Sequence, residues 1–143
     1  MYKINDNAAE FIYVNGELRE YREFQSGNSS GLDFEMPFSG SIIYEVVRFI
    51  DRKGVFLKDH YKRFAGSLAL AGLQSDFTYE EYKEACGQLL KANKIRSNNL
   101  KLMYAMEEKE GEPICLIYAS KSFYPDKKYY LNGVATAVLG IER

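Results

Sequence analysis

From Ser41 to Asp51 apolar residues dominate, broken by single charges, and the stretch reads as a strand whose successive residues fall on opposite faces. Ile42, Tyr44, Val46, Arg48 and Ile50 fall on one face, and Ile43, Glu45, Val47 and Phe49 on the other. Both faces are largely apolar, which predicts a central strand covered on both sides. Each face also carries one charge, Arg48 on the first and Glu45 on the second. A charge on a covered face needs a partner or a ligand, unless it reaches the sheet margin and water.

The elements around this strand follow from the same patterning. Upstream, Glu10–Phe24 reads as a hairpin: Phe11, Tyr13 and Val14 lead into Asn15-Gly16, a pair suited to a two-residue turn of positive φ, and Leu18, Tyr21 and Phe24 follow. Gln25–Gly31 has the composition of a loop. Downstream, Asp51–Gly54 predicts a turn and Val55–Leu57 a short returning strand. A helix capped by Asp59 then runs to about Leu70, with Gly72 ending it. Its apolar stripe is Tyr61, Phe64, Leu68 and Ala71, and His60, Arg63 and Ser67 lie on a neighbouring face. Thr78 and Glu81 form a capping box for a second helix, whose apolar side is Tyr79, Tyr82, Cys86, Leu89 and Leu90. Strands return at Leu100–Met106 and Pro113–Ala119, joined by the charged loop Glu107–Glu112. A short turn of helix fits within Phe123–Gly133, and Val134–Leu139 reads as a last strand. The order of strands, two helices and strands predicts an α+β domain: a mostly antiparallel β-sheet with two α-helices packed on one face.

At 143 residues the chain is expected to form one domain with a real core. Acids and bases nearly cancel, leaving a formal charge of −1, with no basic stripe to suggest nucleic acid. No apolar run is long enough to span a bilayer, and the first ten residues lack a signal-peptide pattern, so a cytoplasmic protein with no membrane partner is expected. Cys86 and Cys115 stand far apart and fit reduced core thiols. With a single histidine, they make a zinc site improbable.

Few residues remain to carry chemistry. There is no G-x-S-x-G elbow, no P-loop and no G-x-G-x-x-G motif. What is left is Tyr44 and Arg48 on one strand face, and His60 and Arg63 near the start of a helix. An arginine there either grips an anion bidentately or is an ordinary surface residue.

At these residues the chain resembles the class IV aminotransferases. This family of pyridoxal-phosphate enzymes includes branched-chain aminotransferase, D-amino acid aminotransferase and aminodeoxychorismate lyase. The resemblance rests on Gly40, Tyr44-Glu45, Val46-Val47, Arg48, Val55-Phe56-Leu57, His60-x-x-Arg63-Phe64 and Ser67, and on KLMYA, ICLIYA and GVATAVL further on. It covers about the whole of residues 1–143 and implies the family's small N-terminal domain, with the C-terminal catalytic domain absent. Carried over by position, it implies that Arg63 binds the phosphate of pyridoxal phosphate. It also implies that Tyr44, Val46 and Arg48 line the substrate pocket and that His60 helps position the helix start.

The resemblance further implies an amino acid and a 2-oxo acid as small-molecule substrates, and a homo-oligomer. The family's Schiff-base lysine would follow the strand matching Val134–Leu139, but no lysine follows Gly133. The chain alone is therefore expected to hold no catalytic residue and to be inactive without its missing domain. Where the family often places Arg or His to hold a substrate carboxylate, this chain has Glu107, Glu108 and Lys109. The lyase branch of the family, or a free-standing α+β interaction domain without chemistry, remain as alternative readings.

Overall fold

The computed structural model describes residues 7–22, 42–75, 77–105, 113–121, 124–138 and 140. Its elements in chain order are β1 (Phe11–Val14), β2 (Glu17–Glu20), β3 (Ile42–Ile50), β4 (Lys53–Gly54), α1 (Leu57–Leu70), α2 (Tyr79–Ala92), β5 (Asn98–Ala105), β6 (Ile114–Ser120) and α3 (Lys127–Asn132). The six strands form one antiparallel sheet in the order β2-β1-β6-β5-β3-β4. The α+β class with α1 and α2 against one sheet face is as expected.

The Asn15-Gly16 turn forms as its sequence dictates, with φ of 46° and 90°. Asn15 also ties this turn to β6: its side-chain Oδ1 accepts from the Cys115 N–H at 2.8 Å, and its own N–H donates to the Cys115 carbonyl at 2.9 Å. The capping box closes as read, with the Thr78 hydroxyl accepting from the Glu81 N–H and the Glu81 carboxylate accepting from the Thr78 N–H at 2.7 Å. At the end of α1, Gly72 takes φ 75°. The Leu73 N–H then reaches the Leu68 carbonyl while the Gly72 N–H reaches that of Ala69, the two bonds of a Schellman stop.

The core lies mainly between the sheet and the two helices. Phe64 and Leu68 of α1 and Leu89 and Leu90 of α2 are fully buried against Val47, Leu100 and Leu102. Each such side chain contributes about 1.5–3 kcal/mol of hydrophobic stabilisation. A smaller cluster occupies the opposite sheet face, built from Ile12, Val14, Met103, Leu116 and Tyr118.

Four local expectations are corrected. β3 is not the central strand: β5 and β6 are, and they are buried on both faces. On β3, the Glu45 face is covered, while Tyr44 is 60% exposed on the other. Val55–Leu57 is not a strand. β4 ends at Gly54, Phe56 turns into the left-handed region (φ 50°, ψ 34°), and Leu57 already opens α1. The helix therefore starts before Asp59, which sits in its first turn, where an acid favours the helix dipole without capping it. Val134–Val138 pairs with no strand among the described residues, and Val138 is fully exposed. Strand-like composition nominates a strand, but only a neighbouring ladder and a surface to cover make one. The expectations for Phe24, Gln25–Gly31, Gly40, Ser41, Met106, Glu107–Glu112, Phe123 and Leu139 lie outside the described residues.

Both cysteines are free and buried, as their spacing suggested. Burial pushes the Cys86 thiol up to about 12. Cys86 is therefore expected to resist alkylation by iodoacetamide at about pH 8 until denaturant is added, which mass spectrometry of the folded and unfolded protein will reveal. A second expectation concerns Asn93, at the C-cap of α2. Its side chain accepts from the Phe11 N–H at 2.8 Å and donates to the Phe11 carbonyl at 3.0 Å, joining α2 to the first strand. Asn93→Ala strands both backbone groups and should lower stability by about 2 kcal/mol, read as a fall in the urea midpoint.

Candidate functional site

β4 pairs only with Phe49 and Ile50 of β3. Among the described residues, the outer edge of residues 42–48 has no strand partner, and the site residues lie along it. The pleat sends Glu45 to the helix side and Tyr44, Val46 and Arg48 to the other.

On the helix side, Glu45 is a carboxylate with only 5% of its side chain exposed. It accepts from Arg63 Nε at 2.7 Å and from Arg63 Nη2, a two-pronged pair in which the guanidinium fork matches the carboxylate. The His60 Nδ1 lies 2.9 Å from the same Oε1, and the Val46 N–H reaches it at 3.2 Å. His60 and Arg63 are three residues apart, so one turn of α1 presents both to one acceptor. Burial pushes the Glu45 carboxyl up. The bonds from Arg63 and His60, with their charges, outweigh it and hold the group below its ordinary value of 4.5. The same pair raises Arg63. Arg63 keeps 70% of its side chain exposed, so the pair straddles the surface: carboxylate inside, guanidinium outside. Its Nη1 makes no bond among the described residues.

On the opposite face, Arg48 is half-buried. Its Nη1 donates to Asn99 Oδ1 at 3.5 Å, and its guanidinium carbon lies 5.7 Å from the Tyr124 ring centre. Lys101, directly across from Val46 on β5, brings its ammonium within 4.9 Å of the Tyr44 ring and 5.7 Å of the Tyr118 ring. Tyr44 forms an exposed aromatic wall beside Val46 and Arg48, so the structure keeps these three together. Arg63 does not join them on their face; it lies across the strand edge, on the Glu45 side.

Three participants went unread in the sequence. Lys101 interrupts the apolar run Leu100–Met103, a signal that marked it, but its position opposite Val46 depends on strand register. Asn99 and Tyr124 carried no signal. A cavity of about 620 Å³ also opens on the helix side, lined by Tyr13, Asn15, Phe77, Glu81 and Cys115, and none of the sequence-nominated residues lines it. Among the described residues, no group of His, Cys, Asp or Glu is placed to hold a metal, and no helix is long and apolar enough to cross a membrane.

The family model described as amino-transferase class IV matches residues 42–139, a span that holds β3, both packed helices and the two central strands. A D-alanine aminotransferase of Staphylococcus haemolyticus is 26% identical, aligned over 90% of this chain and 47% of its own length. One from Staphylococcus epidermidis is 33% identical over 85 residues, 59% of this chain and 28% of its own. Among solved structures, the branched-chain amino acid aminotransferase of Escherichia coli superposes with a TM-score of 0.64 at 17% identity, over 80% of this chain and 41% of that one. That of Thermobaculum terrenum, solved as a mutant, gives 0.64 at 18% identity, over 83% and 40%. A third branched-chain amino acid aminotransferase, solved with pyridoxamine 5'-phosphate, gives 0.64 at 20% identity, over 85% and 43%. At these identities the structural likeness establishes the fold. The chain spans less than half the length of each of these relatives.

The Glu45 pair predicts a pH signature. A carboxyl held below its ordinary value when folded stabilises the fold above pH 4.5, and that stability is lost as pH falls through the folded value. Glu45→Gln should therefore be less stable than the parent at about pH 7, by about 1–2 kcal/mol. The gap should close on acidification below pH 4.5, as read from urea unfolding at several pH values. A gap that stays constant down to about pH 3 would mean that the ion pair contributes nothing.

Proposed function

The chain belongs to the class IV aminotransferase family, and from that premise we propose that it is the N-terminal domain of a pyridoxal-phosphate-dependent aminotransferase. The reaction is transfer of an amino group between an amino acid and a 2-oxo acid. The observation that carries this reading is the pairing of Arg63 with Glu45 inside the matched span. A phosphate anchor must be a cation held still and still open to solvent. Arg63 meets both needs: Nε and Nη2 are docked on the buried carboxylate, while the side chain stays 70% exposed and Nη1 is left unbonded among the described residues.

In this reading Arg63 holds the phosphate of pyridoxal phosphate, and Glu45 and His60 hold Arg63. Tyr44, Val46 and Arg48 form the wall against which the substrate is oriented. Once bound, the cofactor supplies the electron sink for the amino-transfer chemistry. The chain's own residues bind and orient; the acid–base and covalent work falls to a further domain. As donor we favour a small D-amino acid such as D-alanine. The curated relatives named above are D-alanine aminotransferases, whereas the branched-chain enzymes match at 17–20% identity, where fold is all that is shared. We also propose self-association. Leu131 and Val134 in and after α3 are 84% and 63% exposed, apolar surface suited to a second copy or a further domain.

Binding of pyridoxal phosphate and of pyridoxal, followed by absorbance and fluorescence in the full-length protein, tests the anchor. Arg63→Ala should weaken pyridoxal phosphate about tenfold or more, as expected for losing a charge-assisted bond of about 1.5–3 kcal/mol, and leave pyridoxal unchanged. Lys62→Ala, one residue away, should change neither. Equal losses in the two variants would reduce Arg63 to a surface residue and favour a domain without cofactor chemistry.

A further inference from the structure

The cavity of about 620 Å³ on the helix side lies apart from the residues considered so far. Its lining comes from β1, the β1–β2 turn, β6 and the N-terminal half of α2. β1 stands three strands from β3 in the sheet, about 14 Å away. The volume is in the range of small-molecule sites. Ala85 and Cys115 are the buried parts of the lining. Phe77 lies just ahead of the α2 N-cap and stacks on Tyr82 with ring centres 6.0 Å apart, which holds an aromatic wall in place. Glu81 and Ala85 are one helical turn apart and share a face of α2.

The polar groups of this lining favour a positive ligand. Glu81 turns one carboxylate oxygen to its cap, where Oε2 accepts from the Thr78 N–H at 2.7 Å and from the Thr78 hydroxyl at 2.8 Å. These bonds hold the carboxyl below its ordinary value of 4.5, so it is ionised near neutral pH. Its Oε1 takes no bond among the described residues. The half-buried Tyr13 hydroxyl likewise makes no hydrogen bond among them. Burial first, and then the charges of Glu84 and Glu81, raise that hydroxyl above its ordinary value of 10.0, so the field on it is negative. No Lys or Arg lines the cavity among the described residues. Aromatic faces also attract cations.

We propose that this cavity binds a small organic ammonium ion, with its N–H at the Tyr13 hydroxyl and the Glu81 carboxylate and its apolar body against Phe77 and Ala85. The site is separate from the cofactor and substrate residues named above and does not rest on the function proposed for them. An amino acid is a poor ligand here, because its carboxylate meets the charge of Glu81. The cavity therefore selects an amine that carries no acid.

N,N-dimethylphenethylamine is the probe, because a tertiary amine cannot condense with an aldehyde cofactor. Calorimetric titration of the full-length protein should show saturable binding with a dissociation constant below about 1 mM. Phenylethanol, which has a similar shape and no charge, and phenylalanine, which adds the carboxylate, should each bind about tenfold more weakly or worse. Glu81→Gln removes the charge and keeps a side chain that completes a capping box, so it should unfold at the same temperature as the parent and bind the amine about fivefold more weakly. Tyr13→Phe should also weaken the amine, and phenylethanol should not distinguish Glu81→Gln from the parent. Saturating pyridoxal phosphate and pyruvate should leave the amine bound. If they displace it, the amine occupies the cofactor or substrate site, and this inference falls while the proposed function stands. A protein that shows no saturable binding of the amine, or a Glu81→Gln variant that binds it as the parent does, also overturns the inference. Failure of the Arg63 test would leave this one untouched.

Discussion

A carboxylate almost wholly withdrawn from water stays ionised only if donors and positive charge meet it, and Glu45 is met by the Arg63 guanidinium and the His60 ring from one turn of α1. This contact fixes more than a charge. It sets where α1 crosses β3, because His60 and Arg63 must both reach one acceptor. It immobilises a guanidinium at the surface, which an unpaired arginine with its many rotamers would not be. It also satisfies the Val46 N–H of β3. Burying a polar group here stabilises little by itself. Its consequence is geometric: a cation at a defined place beside β3.

The central strands β5 and β6 are buried on both faces and carry the core, while β3 has one half-exposed face and, among the described residues, no strand along the outer edge of residues 42–48. The β3–β4 turn is held by partners from elsewhere in the chain. Asp51 and Arg52 both adopt positive φ without being glycine, and they are braced by Ser97, Arg96 and Ile95. That turn delivers the chain into α1 within a few residues, so Glu45 and Arg63, 18 positions apart, come into contact. β3 thus divides these residues: the Glu45–Arg63 pair lies on one side of the strand, and the Tyr44, Val46, Arg48 and Lys101 side chains on the other.

The contrast between β3 and Val134–Val138 shows what strand-like composition can carry. Both stretches are rich in residues that suit a strand. β3 finds β5 on one side and helices beneath it; Val134–Val138 finds no ladder among the described residues. Likewise, Asp59 has the chemistry of a cap, yet α1 begins two residues earlier. Leu57 is drawn into the core, and packing outweighs a capping bond. The capping box at Thr78 and the turn at Asn15-Gly16 formed as read because each closes within four residues and needs no tertiary partner.

By itself, then, the sequence determined the local pieces: the Asn-Gly turn, the capping box, the glycine stop after α1, the alternation that puts Tyr44, Val46 and Arg48 on one face, and the motif that marks the family. It also flagged Glu45 and Arg48 as charges in need of partners. Only the tertiary structure decided what those partners are. Glu45 received Arg63 and His60 because α1 packs on its face. Among the described residues, Arg48 received a tyrosine ring and an amide, because strand register set Asn99 opposite it. Local rules act over three or four residues and can be read from a single stretch. Charge pairing depends on which strands and helices become neighbours, and the packing of the whole domain decides that.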